Sequence, residues 1–179
     1  MILGFSTQLK EKPTYFVEKI WKGIKENISR ELYFKIVSQT APEEMIKQYP
    51  IDAEVYDEIL PKVHTIREDH GNRWKIGCKI DFFINVRKKN MFRFAPVLPV
   101  VSIQNIDILW YRENCNAFPD HRYTYNGKNV RIYVEGLALK IDQIKLLSQN
   151  DGFNTLEDFF EYFNTDFEGK IIHWTDLKY

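Results

Sequence analysis

The chain has no excess of either charge: 25 lysines and arginines face 25 aspartates and glutamates over 179 residues. That balance argues against strong, nonspecific polyanion binding and leaves room only for a local basic groove. Cysteine is scarce. Cys78 and Cys115 fit no zinc spacing, and a single pair is not a disulfide framework. No apolar run is long enough to span a bilayer. The apolar opening MILGF is too short for a secretory signal, so a cytoplasmic setting is expected. The sequence has no Gly-rich phosphate loop, no Gly-x-Ser-x-Gly elbow and no His-Glu-x-x-His. Nucleotide-dependent catalysis and metallohydrolysis are therefore disfavoured, and no cofactor or metal is expected. Internal repeats, low-complexity tracts and a second-domain boundary are also missing.

What is present is the material of one packed domain. Hydrophobic residues make up 44% and aromatics 15%, enough for a sizeable core at this length. Residues 1–6 read as a short buried strand. Residues 15–25 read as a helix capped by Thr14, with Phe16, Ile20 and Ile24 at four-residue steps. From residue 26 to 61 the pattern turns to short helical pieces, about 30–38, 42–49 and 51–59, punctuated by Pro42, Pro50 and Pro61. This insert carries more acid than base. It reads as a solvated decoration or as a lid over a pocket.

Strand patterning dominates the rest. Ile80, Phe82, Ile84 and Val86 alternate over residues 78–86. The basic run Arg87-Lys88-Lys89 follows, interleaved with Phe92 and Phe94; it is either a solvated turn with aromatics turned inward or a phosphate-and-base contact. Residues 100–110 read as a strand whose apolar phase shifts near Gln104-Asn105, which predicts a bulge. Asn126-Gly127 is a hairpin signal between strands at 122–125 and 130–139. A helix is expected over 139–147, and Asn154 with Glu157 resembles a capping box opening a further helix to Phe163. A last strand is predicted over 171–175.

Chemistry concentrates in residues 62–69, KVHTIRED. As an extended strand it puts Lys62, His64 and Ile66 on one face and Val63, Thr65 and Arg67 on the other. Polar groups on both faces need partners or a cleft. Spacing alone also fits an edge strand with solvated charges. The Lys-x-x-Thr-Ile-Arg pattern, ahead of a Gly-Cys-Lys-Ile-Asp strand start, resembles the ASCH family. So does Asn150-Asp151-Gly152-Phe153 followed by a short helix and closing strand. The resemblance covers roughly residues 58–179 plus the first strand and helix. It implies an α+β fold: a PUA-like small mixed β-barrel with flanking helices, here a single domain over 1–179 with a helical insert at about 26–61. It is the insert that departs from the family.

Function follows from the resemblance as alternatives. The leading expectation is binding of RNA or a nucleoside in a cleft lined by Lys62, His64, Thr65 and Arg67, with Trp74 as a stacking surface. Trp74 reads equally as core, and Arg67 as half of a buried ion pair. The second is an amidohydrolase of N4-acetylcytidine-like nucleosides. Its catalytic residues would be Lys62, Thr65 and Asp151, the last being one methylene shorter than the family's glutamate. A third is a protein-interaction domain using Tyr111, Phe118, Tyr123, Tyr125 and Tyr133 if exposed. The four histidines read as ordinary hydrogen-bonded residues, with His64 and His173 the two that could approach the cleft.

Overall fold

Alternating apolar residues give this chain its sheets; among the described residues two larger open sheets, a two-stranded hairpin and three helices make a mixed α+β fold. A computed structural model of the chain describes residues 1–27, 29, 31, 58–111 and 121–179. The predicted helical pieces of the insert, together with Cys115 and Phe118, lie outside these. Strand β1 (Ile2–Phe5) runs parallel to β5 (Lys79–Ile84), with Leu3 opposite Phe82. β5 also pairs with β6 (Phe92–Arg93) and β7 (Leu98–Pro99). A hairpin of β2 (Gln8–Leu9) and β3 (Lys12–Pro13) leads into helix α1 (Phe16–Asn27).

The larger sheet is centred on β8 (Ser102–Tyr111), flanked by β10 (Lys128–Val134) and β12 (Phe167–His173). β12 carries β4 (His64–Arg67) on its outer edge. β9 (Tyr123–Tyr125) and β11 (Leu137–Ala138) both pair with β10. Helices α2 (Ile141–Asn150) and α3 (Leu156–Tyr162) follow. Among the described residues the pairings form open sheets, and the expected barrel does not close.

Local chemistry explains most elements. Asn126 and Gly127 take φ of 49° and 73°, the left-handed pair that a tight hairpin requires. Val130, Ile132 and Val134 are buried on one face of β10, as their alternation predicts. Two expectations need correction. β8 contains no bulge: its pairing with β12 runs unbroken from Ser102 opposite His173 to Ile108 opposite Phe167. Its buried phase is Ser102, Gln104, Ile106 and Ile108. Gln104 is tolerated inside because its amide exchanges two hydrogen bonds, 2.8 and 3.0 Å, with the backbone of Tyr179. Likewise α3 is capped by Thr155 rather than Asn154; its hydroxyl accepts from the Asp158 amide at 3.1 Å.

Two apolar clusters result. One, under α1 and β5, holds Ile20, Ile24, Phe82 and Phe94; the other, between the large sheet and α2 and α3, holds Ile106, Ile132, Phe159 and Phe160. The basic run 87–90 is an exposed turn, and Phe94 behind it is fully buried, the solvated-turn alternative. Tyr123 stacks on Phe160 at 5.0 Å, so this part of the tyrosine cluster packs inward. No described helix is long and apolar enough to cross a membrane.

Candidate functional site

The segment ahead of β4 reaches the interior because helix α1 lets it approach. The Lys62 amide donates to the Lys19 carbonyl at 2.9 Å. At Gly23 a β-carbon would lie 2.4 Å from the Lys62 carbonyl oxygen, so only glycine permits this packing. Lys62 precedes the strand, and strict alternation does not bind it. It joins Thr65, Ile66 and Arg67 in lining one recess, from which His64 is absent.

There Lys62 meets Asp151. The ammonium lies 2.6 Å from Asp151 Oδ1 and also donates to the Asp151 backbone carbonyl; the two side chains are 2% and 6% exposed. The same oxygen accepts the Ile66 amide at 3.1 Å. Burial pushes Lys62 down, to about 8, and Asp151 up, while the attraction between them opposes both shifts. The pair is therefore poised nearer proton exchange than an exposed lysine and aspartate would be. Asp151 is placed by the end of α2, where its amide donates to Leu147 at 3.0 Å.

Gly152, next in the chain, has φ of +92°, and a β-carbon there would lie 2.8 Å from Phe16 and 3.0 Å from Lys62. Gly152→Ala is expected to cost about 2 kcal/mol or more through backbone strain and this clash. Urea unfolding checks this, and a loss below about 0.5 kcal/mol would contradict the assigned geometry.

Arg67 is part-buried on the recess wall. It donates to the Gly4 carbonyl at 2.9 Å and sits over the Phe5 ring at 5.4 Å, and its Nε is buried without a partner among the described residues. No carboxylate forms the expected ion pair with Arg67 among the described residues. The recess is small, with a volume of about 50 Å³, and it holds the buried polar groups. It shares Leu9, Phe16, Phe153 and Tyr162 with an outer lobe of about 120 Å³. Together they form one groove along the seam of the two apolar clusters.

The other candidate residues lie elsewhere. Trp74 is 6% exposed in the first core cluster, so it is core and offers no stacking surface. His64 is fully buried behind Asp151. Its Nε2 contacts the Tyr179 hydroxyl at 2.8 Å, and its Nδ1 lies 3.8 Å from Asp151 Oδ1. Burial, with His173 and Lys62 nearby, holds it well below the usual histidine range, so it is neutral. Asn150 donates to the same tyrosine hydroxyl at 2.9 Å. His173 packs on His64 at 5.2 Å between ring centres, with neither of its ring nitrogens bonded among the described residues. No group of metal-ligating side chains occurs among the described residues.

Sequence reasoning missed Lys19, Asn150 and Tyr179. Lys19 had a signal: it lies three residues after Phe16, at the border of the apolar stripe of α1. Tyr179 had none, because its role is set entirely by where the chain returns. No family model, curated protein or solved structure matches this chain.

Proposed function

We propose that the protein is a small-molecule amide hydrolase of the ASCH, PUA-like type, acting on N-acylated nucleoside-like compounds such as N4-acetylcytidine. The observation that carries this reading is the buried 2.6 Å Lys62–Asp151 pair opening on the same recess as Thr65. Buried groups with strongly displaced proton affinities in a cleft are the usual setting for proton transfer. Lys62, neutral when its proton resides on Asp151, takes the Thr65 proton as the hydroxyl attacks the acyl carbon. The C–N bond breaks, and the proton passes to the leaving nitrogen. Water then adds to the acyl-threonine with Lys62 again as base, releasing the carboxylic acid and regenerating Thr65. The recess suits the acyl group and the outer lobe the ring that carries it.

A second reading, a nucleoside-binding module without catalysis, uses the same groove and is favoured by Arg67, whose Nε is buried and unpaired among the described residues. Incubation with N4-acetylcytidine separates the two. Hydrolysis yields cytidine and acetate, and Thr65→Ala and Lys62→Met are expected to lower the rate by about 10²-fold or more. Absence of turnover, with cytidine binding that Arg67→Ala weakens, would replace the hydrolase with the binding module.

A further inference from the structure

The outer lobe of the groove holds a buried cation that the chemistry above leaves unused. Lys19 lies at the end of the first turn of α1 and is 2% exposed. Its ammonium donates to the Gly152 carbonyl and to Asn154 Oδ1, each at 2.7 Å. Both acceptors are neutral. The two carboxylates that line this lobe are engaged by other lysines: Asp158 by Lys12 at 3.1 Å and Glu161 by Lys10 at 2.7 Å. An ammonium carries three N–H donors, and the described residues take two. The Asn154 amide, with its oxygen turned to Lys19, keeps its Nδ2 donors for another acceptor.

A buried charge whose hydrogen bonds go only to neutral oxygens is costly, even with Asp158 and Glu18 attracting it from further off, and methionine in this register would simply widen the apolar stripe of α1. Arg67 repeats the pattern in the inner recess, bonded to a carbonyl and not to a carboxylate. Among the described residues that line the two lobes, five cationic side chains meet three carboxylates. Among the described residues the groove carries an excess of positive charge, which a ligand anion would balance.

We propose that the outer lobe is an anion subsite in which Lys19 and the Asn154 amide hold a phosphate or carboxylate carried by the ligand of the groove. The inference rests on the reading of the groove as a small-molecule site and narrows the substrate class. The substrate is an acylated nucleotide, or an N-acyl amino acid, in preference to a neutral nucleoside. The aromatic side chains shared by the two lobes, Phe16, Phe153 and Tyr162, suit a planar base between the acyl group and the anion.

The test is calorimetric binding to the full chain, which needs no turnover and so fails or succeeds independently of hydrolysis. The probes are cytidine 5′-monophosphate, cytidine and N-acetylglycine. Wild-type protein is expected to bind the monophosphate at least tenfold more tightly than cytidine, with an affinity that falls as salt rises. Lys19→Met is expected to remove that preference and leave cytidine unchanged, and Lys19→Arg to restore part of it. Lys19-dependent binding of N-acetylglycine alone assigns the subsite to carboxylates. Equal wild-type binding of monophosphate and cytidine, or no binding of any probe, overturns the proposal. So does an equal loss for both nucleosides in Lys19→Met, which would mark Lys19 as a clamp on the 152–154 loop. The wild-type comparison stands even if Lys19→Met does not fold.

Discussion

Asp151→Ala is expected to destabilise the protein by about 3–5 kcal/mol, while the double variant Lys62→Met/Asp151→Leu recovers most of that loss. The single substitution leaves the Lys62 ammonium in a fully buried site with its counter-ion gone and also strips the Ile66 amide of its acceptor. Among the described residues only the Asp151 backbone carbonyl still accepts from the lysine. The double variant removes the charge as well as its partner and fills the space with apolar atoms, so the desolvation penalty disappears along with the attraction. Denaturant unfolding of wild type, Lys62→Met, Asp151→Leu and the double variant closes a double-mutant cycle. A coupling energy below about 1 kcal/mol would mean that the pair is not held in contact in solution. The expected recovery also has a functional corollary. If an apolar pair serves folding as well as the charged one, then folding does not require the charges, which supports a role for them in proton transfer.

His173→Leu is expected to flatten the acid limb of the stability profile. Burial lowers the His173 pKa to about 4 from an ordinary 6.5, so the folded protein binds this proton less readily than the unfolded chain does. Its contribution is complete above pH 6.5 and is lost as pH falls from 6.5 towards 4, amounting to about 3 kcal/mol over that interval. His64, also depressed by burial, acts in the same direction. Asp151, raised by burial, acts in the opposite one, as its folded form takes up a proton more easily. The difference between wild type and variant at each pH isolates His173 from both.

At pH 7.5 the substitution is expected to be neutral or stabilising, because it removes two buried ring nitrogens that lack partners among the described residues. Unfolding midpoints measured from pH 7.5 to 4.5 decide the matter. Superimposable acid limbs for the two proteins would show that His173 gains water or a proton freely in the folded state.

The legible part of this fold is the part that depends on neighbours in sequence. The alternation of β5 and β10, the Asn-Gly turn and the apolar stripe of α1 can all be read because period and turn chemistry are local properties. Lys62, Thr65 and Arg67 were identifiable as a cluster for the same reason. Alternation failed at Lys62 itself, since the strand begins only at His64 and the preceding residues take their direction from α1. It failed again in β8, where Gln104 breaks the apolar phase without bending the strand because Tyr179 satisfies its amide.

By itself, then, the sequence determined an α+β chain of alternating strands, one strongly amphipathic helix and a dense cationic and hydroxyl motif beside a helix end. Only the tertiary structure decided which carboxylate meets Lys62, a partner 89 residues further along the chain. It also decided that Trp74 is core, that Lys19 is buried and that the sheets stay open. The physical reason is common to all four. Burial and ion pairing depend on which distant segments fold against one another, and that choice is made by the sum of the core contacts, not by any short stretch of side chains.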